Sequence, residues 1–285
     1  MILVFGKTGQ VATELQDFEF VKALGREQAD LSDPEACARA VKFYRPQAVT
    51  NAAAYTAVDK AESEEDLANI INGDATGAIA NACSELNIPL VHISTDYVFD
   101  GTGTKPWSIT DIPNPRNAYG RSKLKGEEII KASGCTYAIL RTSWVVSAHG
   151  NNFVKKMLRL SKTRDSLTVV DDQIGGPTCA RDIARTCLSI SEQLIKDPSK
   201  SGVYHYSGQP DITWCQFANS IFKQVERQTI ATPIHTSDYP TAAIRPSNSK
   251  LDCTTTQAIF GITRPFWRDG LEKIIRELES KHDKA

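Results

Sequence analysis

The first twelve residues constrain the chain more than any other stretch. Ile2-Leu3-Val4-Phe5 is a short apolar run that leads straight into Gly6-Lys7-Thr8-Gly9-Gln10-Val11-Ala12. An apolar run without polar alternation predicts a strand covered on both faces. The two glycines allow a tight turn and a close approach of backbone to a diphosphate, and Ala12 lets the following helix pack closely. The start of that helix then faces negative charge. Gly6 and Gly9 are therefore candidate dinucleotide contacts.

Beyond Ala12 the chain keeps the rhythm of βαβ units. Strands are predicted at 2–5, 48–51, 90–94 and 137–141, with a short one near 21–24 and another at 167–170. Helical patterns lie between them at 10–16, 33–44, 64–86 and 118–132, and a further amphipathic one covers 180–194. Parallel strands require such crossovers, and these run right-handed. From about Ser199 the Pro, Ser and Thr content rises, leaving isolated helices at 214–225 and 267–279. The expected fold is α/β: a Rossmann-type doubly wound parallel sheet with a smaller C-terminal α/β substrate-binding domain. The expected division is 1–198 for the dinucleotide domain, interrupted around 146–166, and 199–285 for the substrate domain.

Bulk charge excludes whole classes of partner. With 33 basic and 34 acidic residues the net charge is -1, so no basic field exists to collect nucleic acid or an anionic membrane. The seven cysteines are an odd number without a Cys-x-x-Cys pair and read as free thiols of a reducing compartment. The first residues lack a cationic segment and a long apolar core, so they do not read as a secretory signal. No apolar stretch approaches the roughly 20 residues of a membrane-spanning helix. The expected location is the cytoplasm.

Candidate chemistry gathers at strand ends. Of eight tyrosines only Tyr119 is followed four positions later by a lysine, Lys123, which puts both on one helix face. A nearby ammonium stabilises a phenolate, so the pair predicts a phenol of lowered pKa working in proton transfer. Thr95 and Asp96 end the strand that begins at Leu90, where ligands collect in open parallel sheets. Small side chains at Ala52, Ala53 and Ala54 suit a cofactor lying across the end of the third strand. Asp30 lies where an acid meets an adenosine ribose, while Arg26 suits a 2′-phosphate, so NADPH and NADH both stay open. The five histidines show no metal-ligand spacing, and neither a Gly-x-Ser-x-Gly elbow nor a phosphate-binding loop ending in Gly-Lys-Ser/Thr occurs. His92 reads as a core residue.

These pieces together resemble the extended short-chain dehydrogenase/reductase family. The resemblance rests on Gly6-x-x-Gly9-x-x-Ala12, Asn51-Ala52-Ala53-Ala54, Ser94-Thr95-Asp96-Tyr97-Val98-Phe99 and Tyr119-Gly120-Arg121-Ser122-Lys123. It continues through Arg141-Thr142-Ser143-Trp144-Val145, Gly150-Asn151-Asn152-Phe153, Asp172-Gln173, Gly176-Pro177-Thr178 and Arg245-Pro246-Ser247-Asn248-Ser249. Within that family the chain is similar to reductases of a nucleotide-linked sugar. That likeness implies hydride transfer from NADPH or NADH to carbon 4 of dTDP-4-dehydro-β-L-rhamnose, the last step of dTDP-rhamnose synthesis.

By the same resemblance Tyr119 is the proton donor, Lys123 positions the nicotinamide ribose, and Thr95 with Asp96 holds the sugar. Trp144 packs along the substrate, while Gly9 to Val11, Asp30, Leu31 and Ala52 to Ala54 contact the dinucleotide. Arg245 is the candidate for the diphosphate, or else forms a surface ion pair. Tyr97 stands where related dehydratases carry a second carboxylate, which argues against dehydration. Some members use magnesium or form homodimers; Glu14 is the one metal candidate, read as a helix-surface glutamate, and no metal ligand is assigned. Two alternatives remain: a dinucleotide-binding regulatory subunit of methionine adenosyltransferase, and a reductase of another nucleotide-linked 4-keto sugar.

Overall fold

The computed structural model describes residues 1–282. Its large sheet begins with β1 (Ile2–Phe5), followed by α1 (Gln10–Leu15), β2 (Val21–Leu24), α2 (Pro34–Tyr44) and β3 (Ala48–Asn51). The chain continues through α3 (Val58–Ala61), α4 (Glu65–Asn69), a π-helical turn (Ile70–Asp74), α5 (Ala75–Leu86) and β4 (Leu90–Thr95). Then come α6 (Ala118–Ala132), β5 (Tyr137–Thr142), the two-residue β6 (Val145–Val146), α7 (Phe153–Leu160) and β7 (Ser166–Val170). The six-stranded sheet is parallel throughout and adds a later strand at its edge, Gly202–His205 beside β5.

Alternation within each strand builds two cores. Ile2 and Val4 point to one side with Val11, Leu15, Ile183 and Leu188, while Leu3 and Phe5 point to the other with Val41, Ile79 and Ile130. Both faces are apolar because helices cover both, as a parallel sheet requires. Residues 180–196 form the helix that packs on α1, whereas α2, α5 and α6 cover the opposite face. From β2 the chain crosses back over β1 to reach β3. The order of strands therefore reverses between β1 and β3, where Phe5 lies beside Asn51, and the crevice beyond those two strand ends is the natural ligand position.

The second half supplies β8 (Ile174–Gly175), β9 (Thr178–Cys179), α8 (Ala180–Lys196), β10 (Gly202–His205), β11 (Ile212–Thr213), α9 (Trp214–Gln224) and β12 (Ile230–Ile234). It ends with β13 (Asn248–Ser249), α10 (Thr254–Phe260) and α11 (Trp267–His282). A third core joins Val146, Val154, Met157, Leu167, Val169, Phe217, Ile221, Trp267 and Leu271. Here β12 runs parallel to β7, and β8 lies between β11 and β13.

Two features differ from the sequence expectation. The boundary at residue 198 does not follow the sheets: β10 completes the large sheet, while the third core draws on Val146 to Met157, inside the interruption expected around 146–166, and also on Leu167 and Val169 beyond it. A strand of four residues flanked by polar segments carries too little periodicity to be assigned to one sheet or another. The single helix expected over 64–86 is broken in register by the π-turn. At that turn Asn72 is buried; its Oδ1 accepts from the Tyr55 backbone N–H at 2.8 Å, and its Nδ2 donates to Ser122 Oγ at 2.9 Å. Gly126 of α6 permits the contact, since a Cβ there would stand 2.2 Å from the Asn72 carbonyl oxygen.

Candidate active site

The crevice opens where the sequence places its glycine turn. Gly6 has φ +105°, a backbone that side-chain-bearing residues rarely adopt, and a Cβ on it would meet Ala53 at 3.3 Å. Gly9 differs. It caps α1 in an ordinary extended conformation with no side-chain hydrogen bond, and a Cβ there would meet nothing nearer than the Ala52 carbonyl oxygen at 3.9 Å. The space above Gly9 is thus free, and its lining of small residues fits the diphosphate of a dinucleotide. Ala52, Ala53 and Ala54 form the facing wall, each half-buried.

Not every candidate on the cofactor side points into that space. Val11 and Leu31 are buried in the two sheet cores, so only their backbones are available to a ligand. Gln10 is tied across to the second half: Ser147 Oγ and Asn152 Nδ2 donate to its Oε1 at 2.8 and 3.0 Å. Asp30 is half-buried, and the Ser32 backbone N–H donates to its Oδ1 at 2.9 Å, which holds the carboxyl below its usual range.

The catalytic candidates converge on the end of β4. Thr95 and Asp96 are buried, with the Thr95 hydroxyl 3.1 Å from Asp96 Oδ1 and accepting from the Tyr97 backbone N–H at 3.2 Å. The other oxygen of Asp96, Oδ2, is buried without a hydrogen-bond partner among the described residues. Burial pushes this carboxyl up to about 6, against hydrogen bonding by Ser249 and Thr95. Tyr119 follows the N-cap residue Asn117, whose Oδ1 accepts from Gly120 N–H at 2.8 Å and so fixes the start of α6. The Tyr97 and Tyr119 rings meet edge to face at 5.5 Å.

The Tyr119 phenol departs from the sequence expectation. Its pKa is not lowered but pushed up to about 12, by burial first, with hydrogen bonding to Thr95 opposing and the charge of Asp96 adding. Lys123 does not relieve this, because its ammonium end is engaged elsewhere. Lys123 Nζ donates to the Ile93 carbonyl at 2.7 Å and lies 3.0 Å from His92 Nε2, at 2% exposure. Burial pulls the lysine down to about 8, with Glu127 opposing. Helical spacing places the two side chains on one face correctly but gives no sign of the strand-borne partner.

Sequence reasoning missed that partner and the support beneath it. His92 and Ser94 share one face of β4 by the two-residue period, and Lys123 and Glu127 share one face of α6. Ser94 donates to Glu127 Oε1 at 2.6 Å, as His92 meets Lys123. That pairing of periods was the available signal. Asn51 completes the group from β3, its Nδ2 3.2 Å from His92 Nδ1.

The remaining candidates lie around this centre. Trp144 has φ +50° and stacks on Trp214 with ring centroids 3.5 Å apart, so one of its faces is covered by protein. Arg245 reaches Asp59 Oδ2 at 2.6 Å, and its charge lies close enough to Tyr97 to oppose the upward push that burial exerts on that phenol. Glu14 is not a surface residue as expected but 5% exposed. The packing of α8 on α1 brings Arg181 Nε to 2.9 Å from its carboxylate, and His149 lies 3.3 Å away on the other side.

A doubly wound parallel sheet, a glycine turn at its switch point, and a Tyr-x-x-x-Lys helix beside a strand-end threonine define an oxidoreductase fold of the extended short-chain dehydrogenase/reductase class. Within it, the chain belongs to the family described as the RmlD substrate binding domain, whose model matches residues 1–280. It is 40% identical to the dTDP-4-dehydrorhamnose reductase of Escherichia coli strain K12, over 97% of both chains. The crystal structure of a dTDP-4-dehydrorhamnose reductase from Clostridium acetobutylicum superposes with a TM-score of 0.90 at 36% identity, covering 98% of this chain and 99% of that one. The Bacillus anthracis dTDP-4-dehydrorhamnose reductase, solved in complex with NADP, superposes at 0.89 with 34% identity, covering 97% and 98%. Among the described residues no helix is long and apolar enough to cross a membrane.

Proposed function

We propose that the chain reduces dTDP-4-dehydro-β-L-rhamnose to dTDP-β-L-rhamnose, with NADPH as hydride donor and Tyr119 as proton donor. The observation that carries the reading is a half-buried phenol, held protonated beside Thr95 and Asp96 at the mouth of a dinucleotide crevice. The reduced nicotinamide, when bound, supplies the hydride to carbon 4. The ketone oxygen then needs one proton, and a phenol pushed up to about 12 is fully loaded with it at neutral pH. General acid work of this kind contributes typically ~10²- to 10⁴-fold.

Asp96 fits the sugar. A buried carboxylate oxygen without a partner is costly, and a sugar hydroxyl donating to it removes that cost. Thr95 hydrogen-bonds the same ketone oxygen that Tyr119 protonates, and Lys123 directs its remaining N–H toward the nicotinamide ribose. Gly6, Gly9 and Ala52 to Ala54 cradle the diphosphate, with Gln10, Val11, Asp30 and Leu31 lining the adenosine side. Trp144 offers its uncovered face to the substrate, and Arg245, on the same side as Tyr97, takes the nucleotide diphosphate by exchanging its Asp59 contact. The lobe built on the third core is the substrate side.

The test is the loss of nicotinamide absorbance when the purified chain is given NADPH and a panel of nucleotide-linked 4-keto sugars. The reading requires turnover that is fastest with the dTDP-linked 6-deoxy sugar, and NADPH favoured over NADH. NADPH bound without being consumed by any sugar overturns it in favour of a regulatory binding protein. Faster turnover of a different nucleotide sugar overturns the substrate alone.

A further inference from the structure

The segment that carries Arg245 is fastened to α3 and to the start of α6. Asp59 of α3 holds it by both carboxylate oxygens: the Ala243 backbone N–H donates to Oδ1 at 3.1 Å, and Arg245 Nη2 donates to Oδ2 at 2.6 Å. Between those two residues the Ile244 carbonyl accepts from Asn117 Nδ2 at 2.8 Å, across 127 residues of chain. Asn117 is 2% exposed and caps α6, its Oδ1 accepting from the Gly120 N–H at 2.8 Å. One amide side chain therefore joins the Arg245 segment to the first turn of the helix that presents Tyr119.

We propose that Asn117 is a positioning residue that transmits nucleotide binding at Arg245 to the placement of the Tyr119 phenol. The inference rests on the proposed reduction and gives a use to the part of the substrate that does not react. Capping needs only the amide oxygen, and Asp or Ser serves a helix start as well as Asn does. Only an amide also offers an NH2, and here that group is directed at Ile244. A diphosphate that draws Arg245 from Asp59 releases one of the two fastenings to α3. The pull on the segment then reaches the α6 cap through Asn117.

The neighbours of the cap leave Tyr119 little slack. Just after α3, Glu62 accepts from the Ala118 backbone N–H at 2.8 Å. On the other side Gly120 packs against the Tyr97 backbone, where a Cβ would stand 2.2 Å from the carbonyl oxygen. Tyr119 sits between these two points, whereas Thr95 is fixed at the end of β4. A shift of the first turn of α6 therefore moves the phenol relative to the ketone site. Proton transfer needs a donor–acceptor distance of about 2.6–3.2 Å, so a fraction of an ångström changes the rate. Binding energy of a non-reacting group used in this way appears in kcat more than in affinity.

Asn117→Ser and Asn117→Asp both keep a cap for α6 and lose the amide donor, so their melting temperatures should lie within about 4 °C of the wild type. NADPH consumption is measured with the dTDP-linked 4-keto sugar and with the same sugar in its 1,5-anhydro form, which carries no nucleotide. The anhydro sugar is given with and without free dTDP. Free dTDP should raise the wild-type kcat on the anhydro sugar by about tenfold or more and should leave both variants unmoved. On the dTDP-linked sugar the variants should lose about tenfold in kcat with no rise in KM. Arg245→Ala should raise KM and abolish the activation, and adding Asn117→Ser to it should lower kcat little further.

A wild type that reduces the anhydro sugar but is not activated by dTDP overturns the proposal, whether or not the variants fold. Activation that survives in either variant does the same. A loss of equal factor on both sugars marks Asn117 as a cap and nothing more, and also overturns it; in each of these cases the reductase reading stands. If the wild type reduces neither sugar, the reductase reading falls and the inference falls with it.

Discussion

Arg141 grips Glu127 through two parallel contacts, Nε to Oε1 at 2.9 Å and Nη2 to Oε2 at 2.6 Å, with neither side chain more than 1% exposed. Glu127 lies one helical turn beyond Lys123, so the pair pins α6 to β5 directly beneath the reactive end. Ser94 Oγ adds a third donor to the carboxylate, and the Phe99 ring lies 4.9 Å from the guanidinium carbon. Arg141 Nη1 is left buried without a hydrogen-bond partner among the described residues, and a buried pair of this kind fixes orientation better than it adds stability.

Glu127→Ala leaves Arg141 charged and unpaired in the interior. Breaking such a pair costs about 3–5 kcal/mol. Denaturant unfolding should give a midpoint lowered accordingly, and the pH dependence of any residual activity should broaden as Lys123 loses its fixed place. A fall of less than about 1 kcal/mol contradicts the assigned role.

Gly9 separates binding from folding. Because a Cβ there finds open space in the protein, Gly9→Ala should leave the melting temperature nearly unchanged. The same methyl occupies the room assigned to the diphosphate, so NADPH affinity should drop by about tenfold or more. Gly6→Ala is the control, since its φ of +105° strains any side chain and folding itself should suffer. Fluorescence titration of NADPH, together with thermal melts, checks both. Unchanged NADPH binding by Gly9→Ala would remove the turn from the cofactor site.

Asp96 trades stability for recognition. Its carboxyl titrates at about 6 in the fold, above the ~3.9 of an unfolded chain, so the folded state binds the proton more tightly. The stabilising effect of that protonation is complete below about pH 4 and is lost as pH rises through 6. Asp96→Asn removes the loss. The variant should gain stability relative to the parent between about pH 4 and about pH 7.5, by up to an order of 3 kcal/mol, while losing substrate affinity. Urea unfolding at both pH values checks the sign; a variant equally destabilised at both contradicts it.

Much of the fold was legible in the sequence because short, doubly covered strands and their crossover helices leave strong local patterns. β1, β3, β4 and β5, α6 and the glycine turn are all set by residues adjacent in the chain. Apart from β7, expected at 167–170, the short strands of the second half are set by partners far away, such as β8 with β11 and β13, and carry too few residues for a period to show. The same limit applies to chemistry. Spacing brought Tyr119 and Lys123 to one helix face, but the partner that meets the lysine nitrogen at 3.0 Å, His92, comes from a strand and looked like core. Glu14 misled in the opposite direction, since nothing local announces that α8 will bury it under Arg181.

A phenol that gives up its proton beneath a bound nicotinamide stands at the centre of the proposed reduction, and one comparison tests it directly. NADPH consumption with dTDP-4-dehydro-β-L-rhamnose is measured for the parent and for Tyr119→Phe, with NADPH affinity measured on the same samples. The expected outcome is a turnover lowered by ~10²- to 10⁴-fold at nearly unchanged NADPH affinity. A Tyr119→Phe chain that keeps most of its turnover contradicts that role, because the proton would then come from another group.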